Sequence, residues 1–160
     1  MNPIKIYLAG SIDGLTYAEA TDWRIEFAER LHKLFGDNIV IFDPTERYRY
    51  GKYKPDEILD LKDIDGSSII FNEDINDSSQ ADIAVINIQG KSKGTGTIFE
   101  IGFMYAKRVK LIGYIDPANP LGQHPFINNS VDLYRTMEDM FRAVKNSVFW
   151  ERQCVLGKAW

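Results

Sequence analysis

An α/β fold, a parallel sheet covered by helices on both faces, is predicted by three features of the chain. Short and almost wholly apolar runs, Ile4 to Ala9, Ile39 to Phe42, Ile83 to Ile88 and Val109 to Ile115, read as strands buried on both sides. Segments of helical character separate them, as the crossovers between parallel strands require. Gly10-Ser11, Gly36-Asp37-Asn38, Asp43-Pro44 and Asp116-Pro117 mark the joints. Phe126 to Val131 reads either as a short fifth strand or as a loop, so the sheet is expected to hold about five strands.

Taken in order, the first strand ends at Gly10, with Tyr7 near its exit. Thr16 to Phe35 places Ala20, Trp23, Phe27, Leu31 and Leu34 at helical spacing. Thr16 is its predicted N-cap, and Glu19 three residues on completes a capping box. Pro44 closes the second strand, because its ring fixes φ and removes a ladder donor. Asp56 to Ile70 is ambiguous: Glu57 to Leu61 carries a weak helical signal, and Gly66-Ser67-Ser68 breaks it before Ile69. Asn72 to Asp82 reads as a short helix feeding the third strand, and Gly94 to Ala106 as the start of a largely buried one. Met137 to Val148 is the terminal helix, with Met140, Phe141, Val144 and Val148 on one face. An apolar tail ending in Trp160 is expected to dock on this subunit or lie over another.

The 160 residues fit one domain spanning 1–160, long enough to bury about two thirds of its unfolded surface. Hydrophobic residues make up 44% and charged residues 26%, and no apolar run approaches the roughly 20 residues that span a bilayer. The first segment is too short and too polar at its flanks for a signal peptide, so a cytoplasmic location and no membrane partner are expected. Cys154 is the single cysteine, which excludes an internal disulfide; His32 and His124 lie far apart, so no zinc cage, metal or cofactor is expected. The net charge of -4 argues against nucleic-acid binding. Arg47 to Lys54 is the local exception, with Tyr48, Tyr50 and Tyr53 between basic residues. Such a run can stack bases or grip a phosphate, but it is more often a solvated loop.

In an open parallel sheet, ligands collect beyond the carboxyl ends of the strands. That edge gathers Gly10, Ser11, Asp43, the loop from Gln89 to Thr97, and Asp116. Glu100 is the only charge in Ile98 to Ala106. A carboxylate in such surroundings needs partners or must shift its pKa. It either pairs with Lys107 or a backbone amide and holds the helix, or it serves a site. Glu100, Asp74 and Tyr7 together fit displacement at an acetal-like carbon, one carboxylate attacking and a protonated second one assisting the leaving group. The bland reading of Asp74 is a helix cap or a solvated acid, like its neighbours Glu73 and Asp77. Gly94-Thr95-Gly96-Thr97 lacks the lysine-serine/threonine ending of a P-loop, and Gly10 to Gly14 lacks the spacing of a dinucleotide fingerprint. Amides at that helix start nonetheless suit a hydroxyl or a single phosphate.

Ile6-Tyr7-Leu8-Ala9-Gly10-Ser11, then Asp74 followed by Ala81-Asp82, then Gly96-Thr97-Ile98-Phe99-Glu100-Ile101-Gly102 resemble, in content and order, the nucleoside 2-deoxyribosyltransferase family. The matching words run from Tyr7 to about Asn129, and the last block is the most specific. The resemblance implies a flavodoxin-like α/β fold and a double displacement that moves deoxyribose between nucleobases through a covalent glycosyl ester. It makes Glu100 the nucleophile at C1′, Asp74 the proton donor to the departing base and Tyr7 the group that orients Glu100. It also puts Gly10 against the base and Asn128 or Asn129 at the sugar, reaching in from a neighbouring subunit of a homo-oligomer; with the residues at the sheet edge, the expected substrate-binding set is Gly10, Ser11, Asp43, Gly94, Thr95, Gly96, Thr97, Asn128 and Asn129. The implied partners are a nucleoside or nucleotide and a free nucleobase.

One departure bears on substrate. The family commonly has an aspartate, against the sugar 5′-hydroxyl, at the position held here by Gly94. Its loss leaves room for something larger or anionic, with donors from Ser92, Lys93 and Thr95. Hydrolysis of nucleoside 5′-monophosphates, as in related N-glycosidases, is therefore the alternative expectation. A binding module without turnover is the non-enzymatic one, and Tyr7, Asp74 and Glu100 together count against it.

Overall fold

In a computed structural model, β1 (Ile4–Gly10), β2 (Ile39–Phe42), β3 (Ile83–Ile88), β4 (Lys110–Ile115) and β5 (Asp132–Tyr134) pair in parallel in the order β2-β1-β3-β4-β5. This is the flavodoxin-like order, and it turns back between β1 and β3. The structure describes residues 2–46, 53–59, 67–90 and 92–157, apart from the side chains of 67–70 and 154–157. Most of the basic, tyrosine-rich run, the Gly66 break, the Cys154 side chain and Trp160 lie outside that set.

The helices are α1 (Tyr17–Phe35), α2 (Ser67–Gln80), α3 (Thr95–Ala106), α4 (Pro125–Ser130) and α5 (Met137–Gly157). Alternation along the strands decides which helix covers which face. Ile6, Leu8, Ile83, Val85 and Ile112 point to one side, where they pack with Phe27 and Leu31 of α1 and Met140, Phe141, Val144 and Val148 of α5. Tyr7, Ala9, Ala84, Ile86 and Leu111 point to the other, against Ile101 and Met104 of α3 and Ile127 of α4. α2 lies beside α3, with the Phe71 and Phe99 ring centroids 5.8 Å apart.

The predicted capping box is formed: Thr16 Oγ1 accepts from the Glu19 amide at 3.2 Å, and the Glu19 carboxylate accepts from the Thr16 amide at 2.9 Å. Four elements differ from the sequence reading. Residues 126–130 form neither a strand nor a loop, since Pro125 sits in the first turn, where its missing N–H costs nothing, of a short helix that ends at Ser130. The fifth strand follows that helix at Asp132–Tyr134, pairing only with β4. An edge strand of three residues buries too little to need an apolar run, so it carries no sequence signal. α2 begins earlier than expected, at Ser67, and α5 runs on past Val148 to Gly157.

Candidate active site

β1 carries Tyr7 towards the α3 face, where the ring is fully buried. Its hydroxyl donates a 2.6 Å hydrogen bond to Glu100 Oε1. α3 starts from Gly94 in the left-handed region, at φ 53°, and Glu100 follows in its second turn. Glycine is favoured at that start, because a side chain there would be strained and a Cβ would lie 3.3 Å from Ile88 and 3.6 Å from Ser11 Oγ.

A cleft of about 610 Å³ opens above this pair. One wall is the turn from Gly10 to Leu15, and the other is Ser92 to Thr97 with the first residues of α3; Asp74 and Glu100 complete the lining. Residues 53–59 brace the first wall: Gly14 N donates to Leu59 O and Leu59 N to Leu15 O, each at 2.8 Å. Gly10, Ser11, Asp74, Gly94, Thr95, Gly96, Thr97 and Glu100 are therefore brought together as the sequence predicts. The amides that open α3 have no partner within the helix, which gives this wall donors for an oxygen-rich ligand. Ser11 Oγ, buried in the opposite wall, has no hydrogen-bond partner among the described residues.

Burial pushes the Glu100 carboxyl up to about 7, and the nearby charge of Asp74 adds to that rise. The Tyr7 hydrogen bond and the positive charge of Arg24 oppose it. Burial, followed by the charges of Glu100 and Asp74, also holds the Tyr7 hydroxyl far above its ordinary range. Tyr7 is therefore a permanent donor. Lys107 is not the partner of Glu100 in this arrangement; its ammonium lies 5.7 Å from the Phe103 ring centroid.

Three predicted residues lie elsewhere. Asp43 is buried at the end of β2, where it accepts from Thr45 N at 2.8 Å and Thr45 Oγ1 at 2.6 Å, with Arg24 Nε 3.7 Å from its Oδ1. It does not line the cleft. Asn128 and Asn129 are exposed on α4, and Asn129 Nδ2 donates to Pro125 O at 2.7 Å. Asn129 borders a separate apolar groove of about 660 Å³ between α3 and α4, walled by Ile98, Tyr105 and Phe126. Gly10 does line the cleft, but its lack of a side chain answers to packing on the far side. A Cβ there would stand 2.6 Å from the Asn87 carbonyl oxygen and 2.9 Å from the Trp23 ring.

Arg24 is the residue that the sequence reading missed. It is completely buried, and its guanidinium donates to Leu8 O at 3.2 Å, to Gly10 O at 2.8 Å and to Ala20 O. Its position gives the signal: Arg24 falls on the stripe of Ala20, Phe27 and Leu31, a charge where the helix period demands an apolar residue.

The sequence profile described as nucleoside 2-deoxyribosyltransferase matches residues 6–147. The chain belongs to this family. The family's members act on nucleosides and nucleobases, so the chain is an enzyme of the nucleoside 2-deoxyribosyltransferase type. Solved structures share the fold at low identity. A conserved protein from Enterococcus faecalis V583 superposes with a TM-score of 0.66 at 18% identity, over 91% of this chain and 99% of that one. A 2-deoxyribosyltransferase from the psychrotolerant bacterium Bacillus psychrosaccharolyticus gives 0.57 at 21%, over 86% and 90%. A 2-desoxiribosyltransferase from Leishmania mexicana gives 0.59 at 17%, over 88% and 96%. No curated protein matches the chain. Among the described residues, no helix is long and apolar enough to cross a membrane.

Proposed function

We propose that the protein transfers 2-deoxyribose from one nucleobase to another by double displacement at Glu100. The observation that carries this reading is the carboxylate of Glu100 at the cleft, held by the buried Tyr7 hydroxyl at 2.6 Å. Tyr7 occupies Oε1, which leaves Oε2 as the attacking oxygen. Glu100 attacks C1′ as a carboxylate, the N-glycosidic bond breaks, and Asp74 gives its proton to the departing base. The product is a glycosyl ester. An incoming base then attacks C1′ through a ring nitrogen, the ester bond breaks, Glu100 returns to carboxylate and Asp74 recovers a proton from the new nucleoside.

The raised pKa of Glu100, about 7, suits this cycle. A carboxylate destabilised by burial is a stronger nucleophile, and one oxygen's hydrogen bond keeps it oriented without satisfying it fully. The sugar lies between the Gly10–Leu15 wall and the amides of Thr95, Gly96 and Thr97.

A homo-oligomer is the working form in this proposal. Tyr105 and Phe126 are 59% and 81% exposed around the groove that Asn129 borders, which is an apolar surface of the kind that subunit contacts cover. In that arrangement Asn128 or Asn129 serves the cleft of a neighbouring copy.

The test is a product assay. A deoxynucleoside is incubated with and without a different free base, and the products are separated. Transfer predicts a new nucleoside in amounts set by the acceptor base. Free sugar released at one rate whether or not an acceptor is present would refute transfer and leave hydrolysis.

A further inference from the structure

β1 is longer than the neighbour that should cover its exit. Pairing between β1 and β2 stops at Tyr7 opposite Phe42, whereas β1 continues to Gly10 beside β3. The carbonyls of Leu8 and Gly10 thus run past the end of β2 into the interior, where an unpaired acceptor is costly. Arg24, reaching across from α1, donates to both. Its guanidinium takes the place of the missing strand, which a lysine's single ammonium does poorly because it lacks the planar fork.

The cation that does this is 0% exposed, and Asp43, the partly compensating anion, stands 3.7 Å away at the end of β2. Its guanidinium carbon also lies 4.6 Å from the Trp23 ring centroid. β1 carries Tyr7 three residues before Gly10, so the carbonyls that Arg24 grips belong to the strand that orients Glu100 and opens into the cleft wall. Among the described residues, the other groups that act on Glu100 from the packed elements are Tyr7 on β1, which is neutral, and Asp74 on α2, which is acidic. Asp13 and Lys93 stand at the cleft lining, and α3 carries no charged residue besides Glu100 itself.

We propose that Arg24 is a positioning residue for the reaction: its buried guanidinium sets the exit of β1 beneath the cleft and places a buried positive charge on the strand that carries Tyr7 to Glu100. Arg24 touches no substrate; it acts through Tyr7, Gly10 and Glu100. The fall in the Glu100 pKa that Arg24 produces agrees with this role. The proposal rests on the assignment of Glu100 as nucleophile only for its catalytic consequence, since the charge effect exists whether or not the chain transfers deoxyribose.

The experiment follows the titration of the Glu100 carboxyl by carbon-13 NMR, with labelled glutamate and Glu100→Gln to assign the signal, in the wild type, Arg24→Gln and Arg24→Lys. Melting temperature is recorded alongside. Arg24→Gln keeps donors for the carbonyls but loses the charge, and the Glu100 midpoint is expected to rise by about one pH unit. Arg24→Lys keeps the charge and is expected to hold the midpoint near the wild-type value while kcat/KM falls about tenfold, from the loss of the fork. An unchanged midpoint in folded Arg24→Gln overturns the proposal, as does wild-type kcat/KM in Arg24→Lys. Failure of both variants to fold also overturns it, because Arg24 would then be a structural requirement alone. A wild type without transferase activity but with the predicted midpoint shift would instead count against the proposed function and leave the charge effect standing.

Discussion

Tyr7 and Glu100, 93 positions apart in the chain, share a 2.6 Å hydrogen bond under the cleft. The tyrosine hydroxyl is held protonated by burial and by the two carboxylates beside it, so it serves as the donor of this pair. The glutamate is pulled in two directions. Burial and Asp74 favour its neutral form, while Tyr7 and Arg24 favour the carboxylate. Much of what the site is expected to do follows from that balance.

Removing the hydroxyl should tip the balance. Hydrogen bonds to charged groups are worth about 2 kcal/mol, so Tyr7→Phe should lower kcat/KM roughly thirtyfold and move its acid limb to higher pH. The melting temperature should change little, because the ring still fills its buried place. A pH–rate profile of this variant that overlays the wild type would rule out the orienting role.

The wild-type profile carries its own prediction. With the Glu100 carboxyl at about 7, the attacking carboxylate is lost on acidification, and kcat/KM should fall about tenfold per pH unit below 7. A rate that stays level down to pH 5 would show that the ionisation of this group does not govern the reaction.

The same raised pKa has a stability consequence of definite sign. The folded-state value, about 7, lies above the ordinary 4.5, so the folded protein holds a proton that the unfolded chain has released across that window. Stability from this group is full below pH 4.5 and is lost as pH rises through 7. Glu100→Gln keeps an acceptor for Tyr7 and removes the charge; at pH 8 it should stabilise the fold by up to about 3 kcal/mol while abolishing base release. The gain should vanish at pH 4. Urea titrations at the two pH values measure it, and equal stabilities of variant and wild type at pH 8 would contradict the buried-charge account.

Asp74→Asn is expected to act on leaving-group protonation. Loss of kcat should be large for bases that depart poorly and small for bases that depart well, which steepens the dependence of rate on leaving-group pKa. Equal losses across a series of nucleosides would assign Asp74 to another task.

What could be read from the chain was decided by how far each signal extends along it. The apolar runs of β1, β3 and β4 and the period of α1 repeat over several residues, and they were legible together with the Thr16–Glu19 capping box. β5 was hidden because an edge strand with one neighbour buries too little to imprint a pattern, and Pro125 was a helix opener within a stretch short enough to pass for a strand. In the cleft, Glu100 announced itself as a charge in an apolar helix, and Tyr7 and Asp74 by their place in the family pattern. Arg24 carried the same kind of signal on α1, one turn after Ala20, but the basic side chain could as easily have snorkelled to solvent. Only the shortness of β2 shows what it is for, and that is a property of pairing rather than of sequence. Asp43 was legible as an acid at the carboxyl edge of the sheet; that it faces Arg24 and Thr45 depended on the loop after β2.

The central claim is that the sugar becomes bonded to one side chain, and trapping that bond tests it most directly. The protein is mixed with a deoxynucleoside whose 2-position carries fluorine, which destabilises the oxocarbenium-like transition state and slows turnover of the ester. It is then quenched in acid, digested and analysed by mass spectrometry. The account predicts a glycosylated peptide with the modification on Glu100, absent from Glu100→Gln and discharged when a free base is added before quenching. A modification on any other residue, or base release in full amount with no peptide ever labelled, would contradict it.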